Sequence, residues 1–81
     1  MKPAVTLYTR AGCHLCERVE ALLAQARQEA PFELTVADID RDPALKARYD
    51  HEVPVVSVDG ADLFHHAMDY AAFLARVRKS Q

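Results

Sequence analysis

The 81-residue chain has no tryptophan, two glycines, two methionines and two cysteines. Neither charge dominates: 10 lysines and arginines stand against 12 aspartates and glutamates. Each shortage excludes something. Two cysteines are too few for the disulfide framework of a small secreted scaffold. A formal charge of −2 supplies no field to draw nucleic acid or an anionic membrane surface. No stretch approaches the roughly 20 apolar residues that cross a bilayer. Residues 1–10 are too short and too polar for a secretory leader. With 51% hydrophobic residues, the composition is not that of a disordered chain. The expectation is a single domain over residues 1–81. The expected compartment is a reducing cytoplasm, where a close cysteine pair is catalytic or metal-binding more often than structural.

What is present is a quick alternation of short elements. Val5, Thr6, Leu7 and Tyr8 form a β-rich run between Pro3 and Ala11-Gly12, which predicts a strand. Leu15, Val19, Leu22, Leu23, Ala26 and Ala30 repeat at helical spacing, and Pro31 ends that helix. Residues 32–39 alternate as a second strand. Asp42 and Pro43 read as the N-cap and first residue of a short helix carrying Leu45 and Tyr49. Residues 53–58 read as a third strand, Asp59-Gly60 as a hairpin turn and residues 61–64 as the returning strand. Tyr70, Phe73, Leu74 and Val77 mark a last helix, whose end carries Arg76, Arg78 and Lys79. The order β-α-β-α-β-β-α pairs the first two strands parallel through a right-handed crossover and the last two antiparallel. The expected fold class is α/β, a four-stranded mixed sheet with helices on both faces.

The chemistry concentrates at Cys13-His14-Leu15-Cys16, between the first strand and the first helix. Free N–H groups and the positive dipole end of a helix stabilise a thiolate there. The thiolate is the reactive species. Cys16 lies one turn inside, on the same side, so the two sulfurs can bond with little backbone strain. This geometry assigns Cys13 as the nucleophile that attacks a disulfide and Cys16 as the resolving thiol. Arg10 adds positive potential close by, and His14 adds more when protonated while pointing outward. Two other readings compete: inert thiols packed as small hydrophobes, and zinc held by Cys13, His14 and Cys16 plus one of His51, His65 or His66. Adjacent Cys13 and His14 do not easily face one ion from a helix start, so no metal site is expected. Val53-Pro54 is the second informative spot. A proline at the head of a strand forfeits a ladder hydrogen bond. A cis bond there would turn the Val53 backbone toward an extended thiol substrate. Spacing alone favours the commoner trans bond.

In this order, the cysteine motif, Val53-Pro54, Asp59-Gly60 and the final helix together resemble the thioredoxin-fold superfamily. The short length resembles its glutaredoxin branch, and closest are the short bacterial glutaredoxin-like proteins. Residues 7–17, Asp38-Ile39-Asp40, Arg48-Tyr49 and Val53-Pro54-Val55 carry that likeness over nearly the whole chain. The resemblance implies the thioredoxin-like, glutaredoxin-type fold, a cis Pro54, and dithiol–disulfide exchange through Cys13 and Cys16. It implies Arg10, His14, Val53 and Pro54 as substrate- or glutathione-binding residues. Glutathione is a candidate co-substrate, with no tightly bound cofactor. Expected partners are a disulfide-bearing protein or small thiol and a reductase, with the chain acting as a monomer. The chain departs from typical glutaredoxins at His14-Leu15, where they carry Pro-Tyr, and at Glu52, where they carry threonine. It also lacks their Gly-Gly turn and acidic pair, leaving Asp69 as the one acidic cap. Two other readings on the same fold are a module binding an iron–sulfur cluster between two subunits through Cys13 and external glutathione, and a non-catalytic interaction domain.

Other residues carry weaker signals. Asp38, Asp40 and Asp42 mimic the start of a calcium loop, but the sixth position is Pro43 and the twelfth Tyr49. A strand-ending acidic turn accounts for them better. His65 and His66 read as loop histidines, Tyr8 and Tyr70 as core or rim residues, and Arg76, Arg78 and Lys79 as a helix-end cluster.

Overall fold

A computed structural model describes residues 2–79. Strand β1 (Ala4–Thr9) leads through a three-residue loop and Cys13 into α1 (His14–Glu29). Strand β2 (Glu33–Asp38) runs into a 3₁₀ turn (Ile39–Arg41) and then α2 (Pro43–Tyr49). Strands β3 (Val55–Val58) and β4 (Ala61–His65) precede α3 (Tyr70–Lys79). The sheet order is β2-β1-β3-β4. β1 pairs parallel with β2 and antiparallel with β3, and β3 pairs antiparallel with β4. Fold class and element order are those expected.

Local chemistry explains the boundaries. The Asp42 carboxylate accepts from the Ala44 and Leu45 N–H groups, and Pro43 opens α2, where a missing donor costs nothing. Asp59 and Gly60 have φ of 50° and 87°, which the right-handed twist of a two-residue hairpin demands and glycine tolerates best. The Asp59 carboxylate also accepts from the Ala4 N–H at 2.9 Å, tying this turn to the start of β1. Among the boundaries that differ from the sequence expectation, two have a visible cause. Ile39 leaves the strand for the 3₁₀ turn, because Asp38 accepts from the Asp40 N–H and bends the chain. Val53 and Pro54 lie outside β3, since Val53 donates to the Tyr49 carbonyl rather than to a ladder.

The period of two along the central strands divides the core. Val5, Leu7, Val56 and Val58 face α1 and α3, packing with Val19, Leu23, Phe73 and Val77. Val55 and half-buried Tyr8 face the other way, onto Ile39, Leu45 and Tyr49. All of β3 is buried. Leu15 does not join this core as its spacing suggested: it is 46% exposed. It sits in the first turn of α1 and borders a groove with Leu22 and Met68.

Candidate functional site

The loop after β1 must reverse direction in few residues. Gly12 supplies the turn at φ +76°, a backbone region that side-chain-bearing residues enter at a cost. Cys13 follows as the N-cap of α1, in an extended conformation. Its sulfur accepts from the Cys16 N–H at 3.1 Å, the role a serine oxygen plays at ordinary N-caps. The sulfurs of Cys13 and Cys16 are bonded to each other, with Cα atoms 5.2 Å apart. The two differ in access. Cys16 is 2% exposed, whereas Cys13 is half-buried; both border an open cleft of about 360 Å³. Arg10, Glu17, Glu20 and Asp38 line the same cleft.

Arg10 does not stand free. Its Nε and Nη2 donate to both oxygens of Asp40, at 3.2 and 2.7 Å. Its Nη1 donates to the Asp50 carbonyl and Nη2 to the Asp50 carboxylate, each at 2.8 Å. Arg10 therefore staples the cysteine loop to the 3₁₀ turn and to the end of α2. The positive potential expected beside Cys13 is neutralised by two carboxylates. Hydrogen bonds from Arg10 hold both Asp40 and Asp50 below the usual carboxylate range. A carboxylate lowered in the folded state stabilises it above the unfolded value, and that benefit is lost as pH falls through the folded value. Arg10→Met should therefore lower the melting temperature at pH 6, with the gap to wild type closing as pH drops below about 3.8. Thermal melts across that range measure it. A gap independent of pH would separate the staple from the carboxylates.

His14 is 95% exposed at the side chain, with Nδ1 3.6 Å from Glu17, so it points outward as expected. The Val53–Pro54 bond is cis. Tyr8 pairs with Val55 in the antiparallel register, which sets Pro54 level with Thr9, at the cysteine end of the sheet. The backbone there is partly spent. Val53 donates to the Tyr49 carbonyl at 3.3 Å, and the Pro54 carbonyl accepts from His66 at 2.8 Å. Only the Val53 carbonyl of that residue's two backbone groups is left to meet a substrate. Glu52 pairs with His65 at 3.1 Å. Asp69 caps α3, accepting from the Ala72 N–H at 3.0 Å. Among the described residues, no group of three or more His, Cys, Asp or Glu side chains is placed to hold a metal ion. No described helix is long and apolar enough to cross a membrane.

Sequence reasoning found the cysteines and missed the carboxylates around them. Glu17 and Glu20 fall between the apolar positions of the first helix, on its other face. A signal for Asp38 existed: in-register parallel pairing of β1 with β2 sets Asp38 beside Thr9. Nothing local marks Asp50 as a partner of Arg10, 40 residues away.

A family model described as Glutaredoxin-like domain (DUF836) matches residues 4–78. An uncharacterized protein of Mycobacterium tuberculosis is 33% identical, the match covering 98% of this chain and 87% of that protein. A solution structure from Nitrosomonas europaea superposes with a TM-score of 0.82 at 32% identity, covering 95% of this chain and 93% of the other. Mitochondrial thioredoxin 3 of Saccharomyces cerevisiae, in its oxidized form, gives a TM-score of 0.72 at 15% identity over 96% of this chain and 78% of the other. At that identity the likeness is one of fold.

Proposed function

We propose, from the premise that this chain belongs to the glutaredoxin-like domain family, that it is a dithiol–disulfide oxidoreductase acting through Cys13 and Cys16. The observation that carries the reading is the pairing of an accessible N-cap cysteine with a buried one a turn behind it. The Cys13 thiolate attacks one sulfur of a substrate disulfide, forming a Cys13–substrate bond. The old S–S bond breaks and its electron pair leaves on the other substrate sulfur, which takes a proton from solvent. Cys16, deprotonated to solvent, then attacks the Cys13 sulfur and expels the second substrate thiol. Two electrons pass to the substrate, and the enzyme is left with the Cys13–Cys16 disulfide. An external thiol such as glutathione, or a dithiol reductase, returns it to the dithiol form.

The backbone does much of the positioning. The N–H of Cys16 and the helix end stabilise the Cys13 thiolate that attacks. Burial of Cys16 keeps it from competing for substrate, yet within reach of the Cys13 sulfur. Substrates on this reading are protein disulfides or mixed disulfides, met in a reducing compartment such as the cytoplasm by a monomeric chain.

The test is a trap. Cys16→Ser, reduced and mixed with a disulfide substrate, should accumulate a mixed disulfide on Cys13, seen by intact mass and peptide mapping. Wild type under the same conditions should turn over and finish as the internal disulfide. An adduct on Cys16 in the Cys13→Ser variant, with none in Cys16→Ser, would reverse the roles.

A further inference from the structure

Three carboxylates line the cleft against Cys13: Glu17, Glu20 and Asp38. Glu17 and Glu20 are three residues apart on α1, so both project over the same side of the first turns. Asp38 arrives from the end of β2. The guanidinium that shares the cleft, Arg10, is already held by Asp40 and Asp50 at 2.7–2.8 Å. An arginine and a histidine touch the acidic set from its rim. Arg41 lies 3.8 Å from Asp38, and its side chain is 88% exposed. His14 lies 3.6 Å from Glu17 and is 95% exposed. Both reach out into solvent, where their charge is screened, and Lys46 acts on Asp40 and Asp50 rather than on this set. Arg18, one residue beyond Glu17, lines a separate, largely apolar groove with Leu15, Leu22 and Met68. The cysteine pair is thus acidic on the flank where Arg10 sits.

From this arrangement we infer that the cleft selects disulfides by charge: a cationic group next to the scissile bond is favoured, and an anionic one disfavoured. The inference rests on the oxidoreductase reading and deepens it. The physical cause is the potential of several carboxylates in a concave site, which concentrates counter-charge and repels like charge. It acts before the chemistry, on encounter and on the mixed-disulfide state. Its preferred substrate class is a protein disulfide flanked by lysine or arginine. Glu17, Glu20 and Asp38 are specificity residues on this account, and Arg10 positions two further carboxylates without offering a free cation.

The experiment uses Cys16→Ser and three small disulfides: cystamine, a dication; bis(2-hydroxyethyl) disulfide, neutral; and 3,3′-dithiodipropionate, a dianion. Rates of Cys13 adduct formation are followed by mass. Each is divided by the rate of the same disulfide with a neutral free thiol, which removes differences in leaving group. The normalised cation-to-anion ratio should be about tenfold at about 0.02 M salt and fall toward unity at about 0.5 M, where the Debye length is a few ångströms. Salt should slow the cation and speed the anion. In a Cys16→Ser/Glu17→Gln/Glu20→Gln variant the low-salt ratio should drop to about threefold or less. A ratio near one at low salt, or one favouring the anion, overturns the inference while leaving the oxidoreductase reading intact. A ratio unmoved by the glutamine substitutions overturns the assignment to Glu17 and Glu20. If none of the three disulfides reacts faster with Cys13 than with a free thiol, the oxidoreductase reading fails and the inference with it.

Discussion

Reduced protein treated with iodoacetamide at about pH 6 is expected to be alkylated at Cys13 and left nearly untouched at Cys16, with rates about a hundredfold or more apart. Two effects act in the same direction. Cys13 is the N-cap of a 16-residue helix, and its sulfur already accepts from a backbone N–H at 3.1 Å. The helix end and that donor both favour the charged form, so its titration should fall below the ~8.5 of a free thiol. Cys16 is 2% exposed. Burial disfavours its thiolate and blocks the reagent. The carboxylates of the cleft oppose the helix at Cys13. Glu17 is 72% exposed at the side chain and acts through water, whereas the Cys16 N–H touches the sulfur directly. The direct contact should win. The pH profile of the alkylation rate, resolved by residue, reads both titrations. Equal profiles at the free-thiol value would remove the physical basis for separate roles.

The second large effect is on stability. Tyr49→Ala is expected to cost about 3–5 kcal/mol, a large share of the stability of a domain this small. The Tyr49 ring is 2% exposed and packs with Ile39 and Val55 on the face of the sheet away from α1. It stacks on Tyr8 with centroids 4.3 Å apart. Its hydroxyl donates to Asp62 at 2.8 Å, and burial followed by that bond pushes the phenol above its usual range. The alanine variant empties the centre of this smaller core. Tyr49→Phe separates the two contributions. It keeps the ring and leaves Asp62 with Arg48 as a donor, 3.3 Å away, so its cost should be about 1–2 kcal/mol. Urea denaturation at fixed pH gives both values from shifts in midpoint at unchanged slope. Similar losses in the two variants would mean that the hydroxyl, not the ring, holds α2 to the sheet.

Much of this protein is written in short-range chemistry. The helix under Val19, Leu23 and Ala26, the cap at Asp42, the hairpin at Asp59-Gly60 and the cysteine pair before a helix are each decided within a turn or two of chain. Periodicity and capping report on such local choices, so the element order could be read directly. The family likeness extended that reading to the cis bond at Pro54. Leu15 shows where periodicity stops. It has the right spacing for the core, yet in the first turn of α1 it is left exposed.

The character of the site was decided at longer range. Arg10 meets Asp40 and Asp50, 30 and 40 residues on, because the sheet order brings the ends of β1, β2 and α2 to one edge. Pairing β1 with β2 also sets Asp38 beside the cysteine loop. A sequence assigns each of these residues its charge, but the potential at Cys13 depends on distances between them. Those distances exist only once the strands have paired, which is why sequence alone determined the cysteine pair and its helix while tertiary structure decided which charged groups surround it.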